Sequence, residues 1–466
     1  MSTPAAVVLR RELTLRDVVL FFVTTGTNLQ WVATAAAAGP GALVVWVMGG
    51  LCMFVPLAIC VVDLSSHYPE EGGLYVWSKR AFGPFAGFLT GWTYWCSNLP
   101  YFPGLLYFTA ANALYMAGES GRHLSTSPLY FIAVSLLGLG LATWLNVMGL
   151  GVGKWLNNVG GISRWLTTLI LLALGLLAWV SFGSATEFTP ATLMPGFRLR
   201  DLLFWSAIAF AWTGPEAASF MGGEVVDSRR TIPRALGMAA PMIAAIYLLG
   251  TLSVLVAVPP GEVTGLQGVL QAISAAEKRL GLEGLATVAA LLMTITCLGS
   301  VGAWLGAVAR IPFVAGIDRY LPEAFGRPHP RYGSPYVALL TQSGVTVVFV
   351  ILGQAGTTVK GAYEVLISMT FLVTFIPFLF LFASAIKLHV EPPPPGSLKI
   401  PGGRWTVIAM AALGFLTTLG SMVLATVPSP DEPNPALSVT KVVGLTLALV
   451  GIGIAVYRTG RRRALV

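Results

Sequence analysis

FAWTGPEAASF, residues 210–220, lies inside an apolar run that begins at Leu202. The pair Gly214-Pro215 interrupts that run, and Glu216 follows at once. Proline removes a backbone donor and clashes with the preceding turn. A carboxylate in hydrocarbon is costly. An ordinary proline kink would explain the first feature alone. The two side by side, where a membrane helix should run on, point to a helix broken for a purpose.

Composition sets the setting. Of 466 residues, 55% are hydrophobic and 10% charged, against about 25% charged in a soluble domain. The chain therefore reads as an all-α integral membrane protein. Residues 1–16 are polar and carry Arg10, Arg11 and Arg16. The apolar run that follows outlasts a signal h-region, so no cleavable signal is expected. Cys52, Cys60, Cys96 and Cys297 fall in apolar runs without a CxxC pair and read as small core residues. His67, His123, His329 and His389 fall in predicted loops. An intramembrane metalloenzyme, a bound metal and an organic cofactor are accordingly not expected. A GxxxxGK[ST] phosphate loop is also missing, which argues against ATP-driven transport by this chain alone.

A span needs about 20 apolar residues. Twelve such runs can be read, at about 17–38, 42–63, 83–116, 127–148, 155–182, 201–223, 235–258, 284–314, 335–353, 361–386, 405–427 and 437–457. With twelve spans, 20 of the 28 Lys and Arg fall on the side of the N-terminus and seven on the other, with Arg164 inside a span. The positive-inside rule then places both termini in the cytoplasm of a multi-pass cytoplasmic (inner) membrane protein. The net charge of +8 is thus topological. Its partners are lipid headgroups, not nucleic acid.

Two starts resemble each other. Leu15-Arg16-Asp17 opens the first span and Leu199-Arg200-Asp201 the sixth, and each run then meets a Thr-Gly step, at Thr25-Gly26 and Thr213-Gly214. Five spans separate the starts, so the second copy is inverted. Paired interrupted helices of this kind place a binding site at the bilayer midplane. A zwitterion would satisfy the backbone groups that the breaks free. Gly26, Thr27 and Asn28 are the candidates for its carboxylate, and the carbonyls around Phe210, Ala211 and Trp212 for its amine. Thr25, Thr213 and Gly214 complete the candidate substrate site. Residues 24–28 and 212–216 are expected to be non-helical and to face each other.

FWSAIAFAWTGPEAASFMGGEVVDSRRTIPRAL (204–236) resembles the sixth helix and following loop of the amino acid–polyamine–organocation superfamily. HYPEEGGLYVWSKRAFGPFAGFLTGW (67–92) resembles its loop between helices two and three, and LKIPGG (398–403) its link to helix eleven. The resemblance implies a 5+5 inverted repeat with discontinuous helices 1 and 6, plus two accessory helices. The repeats would be residues 1–182 and 183–388, with 389–466 holding helices 11 and 12 and a basic tail. It implies a secondary amino acid permease without cofactors, whose partners are a small-molecule substrate and protons. A polyamine or organocation carrier, an amino acid–amine antiporter and a non-transporting sensor are the alternatives. Many relatives carry a Gly-Ser-Gly-type break in helix 1, where this chain has TTGTN (24–28). Neither the amine or amino acid carried, nor symport against exchange, nor an oligomeric state can be read.

The resemblance also implies that a basic residue in helix 5 stands where sodium sits in sodium-coupled cousins. Arg164 is the candidate, with Lys154 competing nearer the membrane edge. TITCLGS (294–300) shows no clear Thr/Ser pair for sodium, so sodium-independent transport is expected. Glu216 is the carboxylate deep in a span. Burial disfavours its charged form, which suits a proton carrier, a counter-ion to a cation, or a protonated structural partner. Trp92, Tyr94 and Trp95 are further candidates to line the pocket. PEEGGLYVWSKR (69–80) should form an amphipathic helix at the inner gate, LQGVLQAISAAEKRLG (266–281) an external lid, and EPPPPGS (391–397) a stiff linker.

Overall fold

The computed structural model describes residues 11–264, 267–353, 359–389, 398–427 and 435–464. The proline run at 392–395 lies outside them. The described residues form helices joined by loops, with one isolated parallel bridge between Leu13 and Val225. In chain order the helices are α1 (Leu15–Gly26), α2 (Leu29–Ala37), α3 (Gly41–His67), α4 (Leu74–Phe82) and α5 (Pro84–Met116). They continue with α6 (Pro128–Val147), α7 (Leu150–Phe182), α8 (Leu199–Ala211), α9 (Ser228–Ala257), α10 (Gly268–Leu280) and α11 (Leu285–Val308). The last are α12 (Arg310–Ile317), α13 (Tyr336–Gly353), α14 (Val359–Leu388), α15 (Gly403–Ala425) and α16 (Pro435–Ala464).

Eight helical stretches among the described residues are long and apolar enough to cross a membrane, and Asp201–Ala211 and Tyr336–Ile351 are shorter apolar helices. The protein is thus a multi-pass membrane protein. The 33-residue α5 is long enough to span. Its Trp, Tyr, Asn and Ser dilute its hydropathy, and its turns from Cys96 to Ala111 are buried throughout. It is a central helix, shielded from lipid by its neighbours.

The two Leu-Arg-Asp starts do the same local work. Asp17 Oδ2 accepts the Thr14 N–H at 3.0 Å and its hydroxyl at 2.7 Å. Asp201 Oδ2 accepts the Arg198 N–H at 3.0 Å. Each carboxylate ties down the residue that precedes its helix and sits at the positive end of the helix dipole. The expected amphipathic segments also form, as α4 and α10, each with a buried apolar face.

The core is built by close approach. A Cβ at Gly160 of α7 would lie 2.7 Å from the Gly299 Cα of α11, and the reverse holds too. The two backbones touch, as small residues allow in membrane helices. One expectation fails here. His67 is no loop residue: it ends α3 and is buried, because the apolar run continues helically past Val62 through the polar turn Asp63–His67.

Candidate substrate site

The first break is shorter than expected. Helix α1 continues through Gly26, and only Thr27 (φ −130°, ψ 141°) and Asn28 (φ −140°, ψ 120°) are extended. Thr24, Thr25 and Thr27 donate their hydroxyls to the carbonyls of Leu20, Phe21 and Val23 at 2.8, 2.9 and 2.5 Å. Each hydroxyl is thus satisfied by the carbonyl four residues back, the bond a threonine makes from a helical position. The Asn28 side chain then accepts the Gln30 N–H at 3.1 Å and caps α2.

The second break is wider. Helix α8 ends at Ala211, and the chain regains helical form only as a 3₁₀ run, Ala217–Glu224. Thr213 donates both its N–H (2.9 Å) and its hydroxyl (2.8 Å) to the Phe210 carbonyl. Gly214 has φ +125°, and a Cβ there would fall 2.8 Å from both the Gly26 Cα and the Thr25 carbonyl oxygen. Only glycine fits that conformation and that gap. The two breaks therefore meet backbone against backbone.

Glu216 is fully buried. It accepts the Gly214 N–H at 2.8 Å and the Tyr94 hydroxyl at 2.6 Å. Tyr247 of α9 links the breaks on another side: its hydroxyl accepts the Asn28 N–H (3.2 Å) and donates to the Ala211 carbonyl (2.9 Å). The Tyr247 ring is stacked on Trp46 at 4.2 Å.

Between these groups lies a cavity of about 30 Å³, room for about one or two waters. Of the expected residues, Thr25, Thr27, Asn28, Phe210, Ala211 and Thr213 line it, as does Tyr94. Gly26 and Gly214 are spent on each other. Trp212 turns away, packing on Trp46 and Phe54 and donating its indole N–H to the Trp46 carbonyl. Glu216 stands behind Tyr94. Trp92 and Trp95 bond to the Leu449 carbonyl and to Gln342 instead. Sequence reading missed Trp31, Asn98, Tyr101, Tyr247, Trp304, Thr370 and Thr374, which complete the lining. Their signal was weak: lone polar-tipped residues in apolar spans, outside any motif.

Arg164 and Lys154 part company. Arg164 is 1% exposed and donates to Thr27 Oγ1 at 2.7 Å and Ser300 Oγ at 2.6 Å. It thus joins α7 to the first break and to α11. Thr296 and Ser300, in the segment where no hydroxyl pair stood out, sit four apart on one helix face beside it. Lys154 reaches the Glu12 carbonyl (3.3 Å) and Asp17 (3.8 Å) at the start of α1.

The cavity is covered on two sides. Towards α2 and the start of α8, Phe210 packs with Trp31, Tyr101 and Phe371 at centroid distances of 5.8, 6.1 and 4.5 Å. Towards the N-terminal side, Tyr94 meets Phe220 at 4.8 Å. Below that ring pair, Arg310 forks onto Glu224 at 2.7 and 3.0 Å and approaches Glu71 at 3.9 Å. The Glu224 carbonyl also accepts the Glu12 and Leu13 N–H groups, pinning the segment before α1. Some 15% of the Glu71 side chain reaches solvent, yet its Oε1 is enclosed without a hydrogen-bond partner. Burial, and then the neighbouring Glu224, hold the Glu71 carboxyl well above the usual carboxylate range.

Comparison with known proteins adds an independent line. A family model described as amino acid permease matches residues 14–452. The chain is 27% identical over 432 residues to an uncharacterized transporter of Legionella pneumophila, covering 91% of each chain. It is 22% identical over 399 residues to the probable agmatine/putrescine antiporter AguD of Lactococcus lactis, covering 85% of this chain and 84% of that one. It is 24% identical over 324 residues to the human Asc-type amino acid transporter 1, covering 68% and 60%.

Proposed function

Because the chain belongs to the amino acid permease family, within the amino acid–polyamine–organocation superfamily, we propose that it moves amino acids across the cytoplasmic membrane by alternating access. It is a transporter, not an enzyme. In this reading the fold is twelve spans in a 5+5 inverted repeat with two accessory helices, and both termini are cytoplasmic. The observation that carries the proposal is the Tyr247 hydroxyl, held between the Asn28 N–H, which lacks a helical partner, and the Ala211 carbonyl. Those two groups match the two ends of a zwitterion. A substrate carboxylate would take the Asn28 donor and a substrate ammonium the Ala211 acceptor, with Tyr247 yielding or bridging.

Arg164 supports the same orientation. Its charge lies one hydroxyl away from the cavity, behind Thr27, and favours an anionic group at that end. By the resemblance to the superfamily, its guanidinium would stand where sodium-coupled cousins hold their ion, and the transport proposed here is sodium-independent. Proton coupling, or exchange governed by a proton, runs through Glu216. The ionised carboxylate accepts from Tyr94 and Gly214. Protonated, one of its oxygens becomes a donor and one of the two bonds must turn round. That change falls directly on the second break and on a residue lining the cavity.

A second reading, an amine antiporter, draws on the aromatic lining, since Trp31, Tyr101, Phe210 and Trp304 suit a cation. The lining among the described residues includes no carboxylate, however, which favours a zwitterion over a dication. Uptake into proteoliposomes, with a panel of amino acids and polyamines offered inside and out, decides between them. Saturable uptake or exchange of amino acids is the expected result. Polyamine exchange alone would select the second reading, and no saturable flux of either class would sink both.

A further inference from the structure

Asp63 and His67 sit four apart in the last turn of α3, so both lie on one helix face. His389, the residue after α14, meets them there. His389 Nε2 is 3.2 Å and His67 Nδ1 3.4 Å from the same atom, Asp63 Oδ2, and the three donor atoms lie within 4.8 Å of one another. Both contacts are at ion-pair distance, and neither is a hydrogen bond: Asp63 Oδ2 and His389 Nε2 are buried and without a hydrogen-bond partner. With Nε2 of His389 unprotonated, two acceptor atoms face each other across 3.2 Å, which is expensive unless something fills the space between them.

We propose that Asp63, His67 and His389 bind a borderline divalent transition metal ion, of which Zn(II) is the type. Around a tetrahedral zinc with bonds of about 2.0–2.1 Å, neighbouring ligand atoms stand about 3.3 Å apart. The two observed separations bracket that value. Two imidazoles and one carboxylate are the donor set such an ion prefers over calcium or magnesium. Three protein ligands leave a fourth position for water, and the His389 side chain, 12% exposed, marks the route by which the ion enters. The site lies away from the cavity, at the ends of α3 and α14 that the loop charges assign to the cytoplasm. A bound ion would clamp those two ends together.

The test uses the tag-free, full-length chain in detergent, stripped with a chelator and equilibrated with Zn(II) alone. Elemental analysis after dialysis should find one zinc per chain. His389→Ala and His67→Ala, each deleting a ligand, should lose stoichiometric binding, while His123→Ala, changing an exposed histidine, should leave it intact. Co(II) added to the unaltered protein should give the intense visible bands of a tetrahedral site, a readout that needs no variant. Absence of bound zinc in the wild type, or full binding in His389→Ala, would overturn the site. So would a weak octahedral cobalt spectrum, leaving a plain His–Asp–His packing cluster.

Discussion

Tyr94 donates its hydroxyl hydrogen to Glu216 across 2.6 Å, joining the lower half of α5 to the second break. The carboxylate therefore reaches the cavity only through the tyrosine. Glu216→Gln mimics the protonated acid and should retain substrate binding while flattening the pH dependence of uptake. Tyr94→Phe removes a hydrogen bond to an ionisable group, worth about 1.5–3 kcal/mol, and should impair uptake about tenfold or more. Initial rates against pH in proteoliposomes check both. Parallel profiles for wild type and Glu216→Gln would make Glu216 a structural residue.

Gly214→Ala should be among the most damaging single changes. Its φ of +125° and the 2.8 Å approach to Gly26 leave no room for a methyl group. Backbone strain alone costs about 1–3 kcal/mol, before the clash. Uptake should fall more than tenfold, with a lower unfolding midpoint in detergent. Near-normal transport would show that the two breaks can separate freely.

Uptake should be equal in sodium and choline buffers at fixed pH. Arg164→Ala strips Thr27 and Ser300 of their shared donor and should reduce uptake at least tenfold in either buffer. A steep sodium dependence in the wild type would refute the reading of Arg164 as the ion's replacement.

The Glu71 carboxyl makes stability depend on pH. Its folded value is raised, so the folded state holds a proton that the unfolded chain, titrating near about 4.3, releases earlier. The stability it contributes is complete below that unfolded value and is lost as pH rises through the folded one. Glu71→Gln should therefore lose less stability than wild type on moving from about pH 4 towards neutrality. Unfolding midpoints across that range provide the measurement, and superimposable slopes would refute it.

The second break was legible because proline and glycine act locally. Gly214 takes a φ of +125° that a helix does not allow, and Pro215 withholds a donor, whereas Pro100 and Pro103 stay inside α5. The first break was misjudged by three residues because a lone glycine between threonines does not end a helix, and α1 runs on through Gly26. Tyr247, Asn98 and Trp304 could not be picked out: each is one polar-tipped residue in an apolar helix, and only the packing of α5, α9 and α11 decides which way it faces. The same holds for His389. Its partners, Asp63 and His67, lie in the first third of the chain, and no spacing rule connects them to it. Arg164 and Lys154 could be ranked by their depth in the apolar run, but their partners, Thr27 and Ser300 against Glu12 and Asp17, follow only from packing.

The contact of Gly160 with Gly299 has a mechanical side. At that contact backbone meets backbone with no side chain between, so a displacement along the seam meets less steric resistance there than where the Leu156 side chain fills the space at Gly302. Relative motion of the two helices is then a glide, of the shear type. One turn beyond that contact, the 2.6 Å bond from Arg164 to Ser300 crosses the same seam. It acts as a stop on the slide, set beside the break that the slide would carry with it.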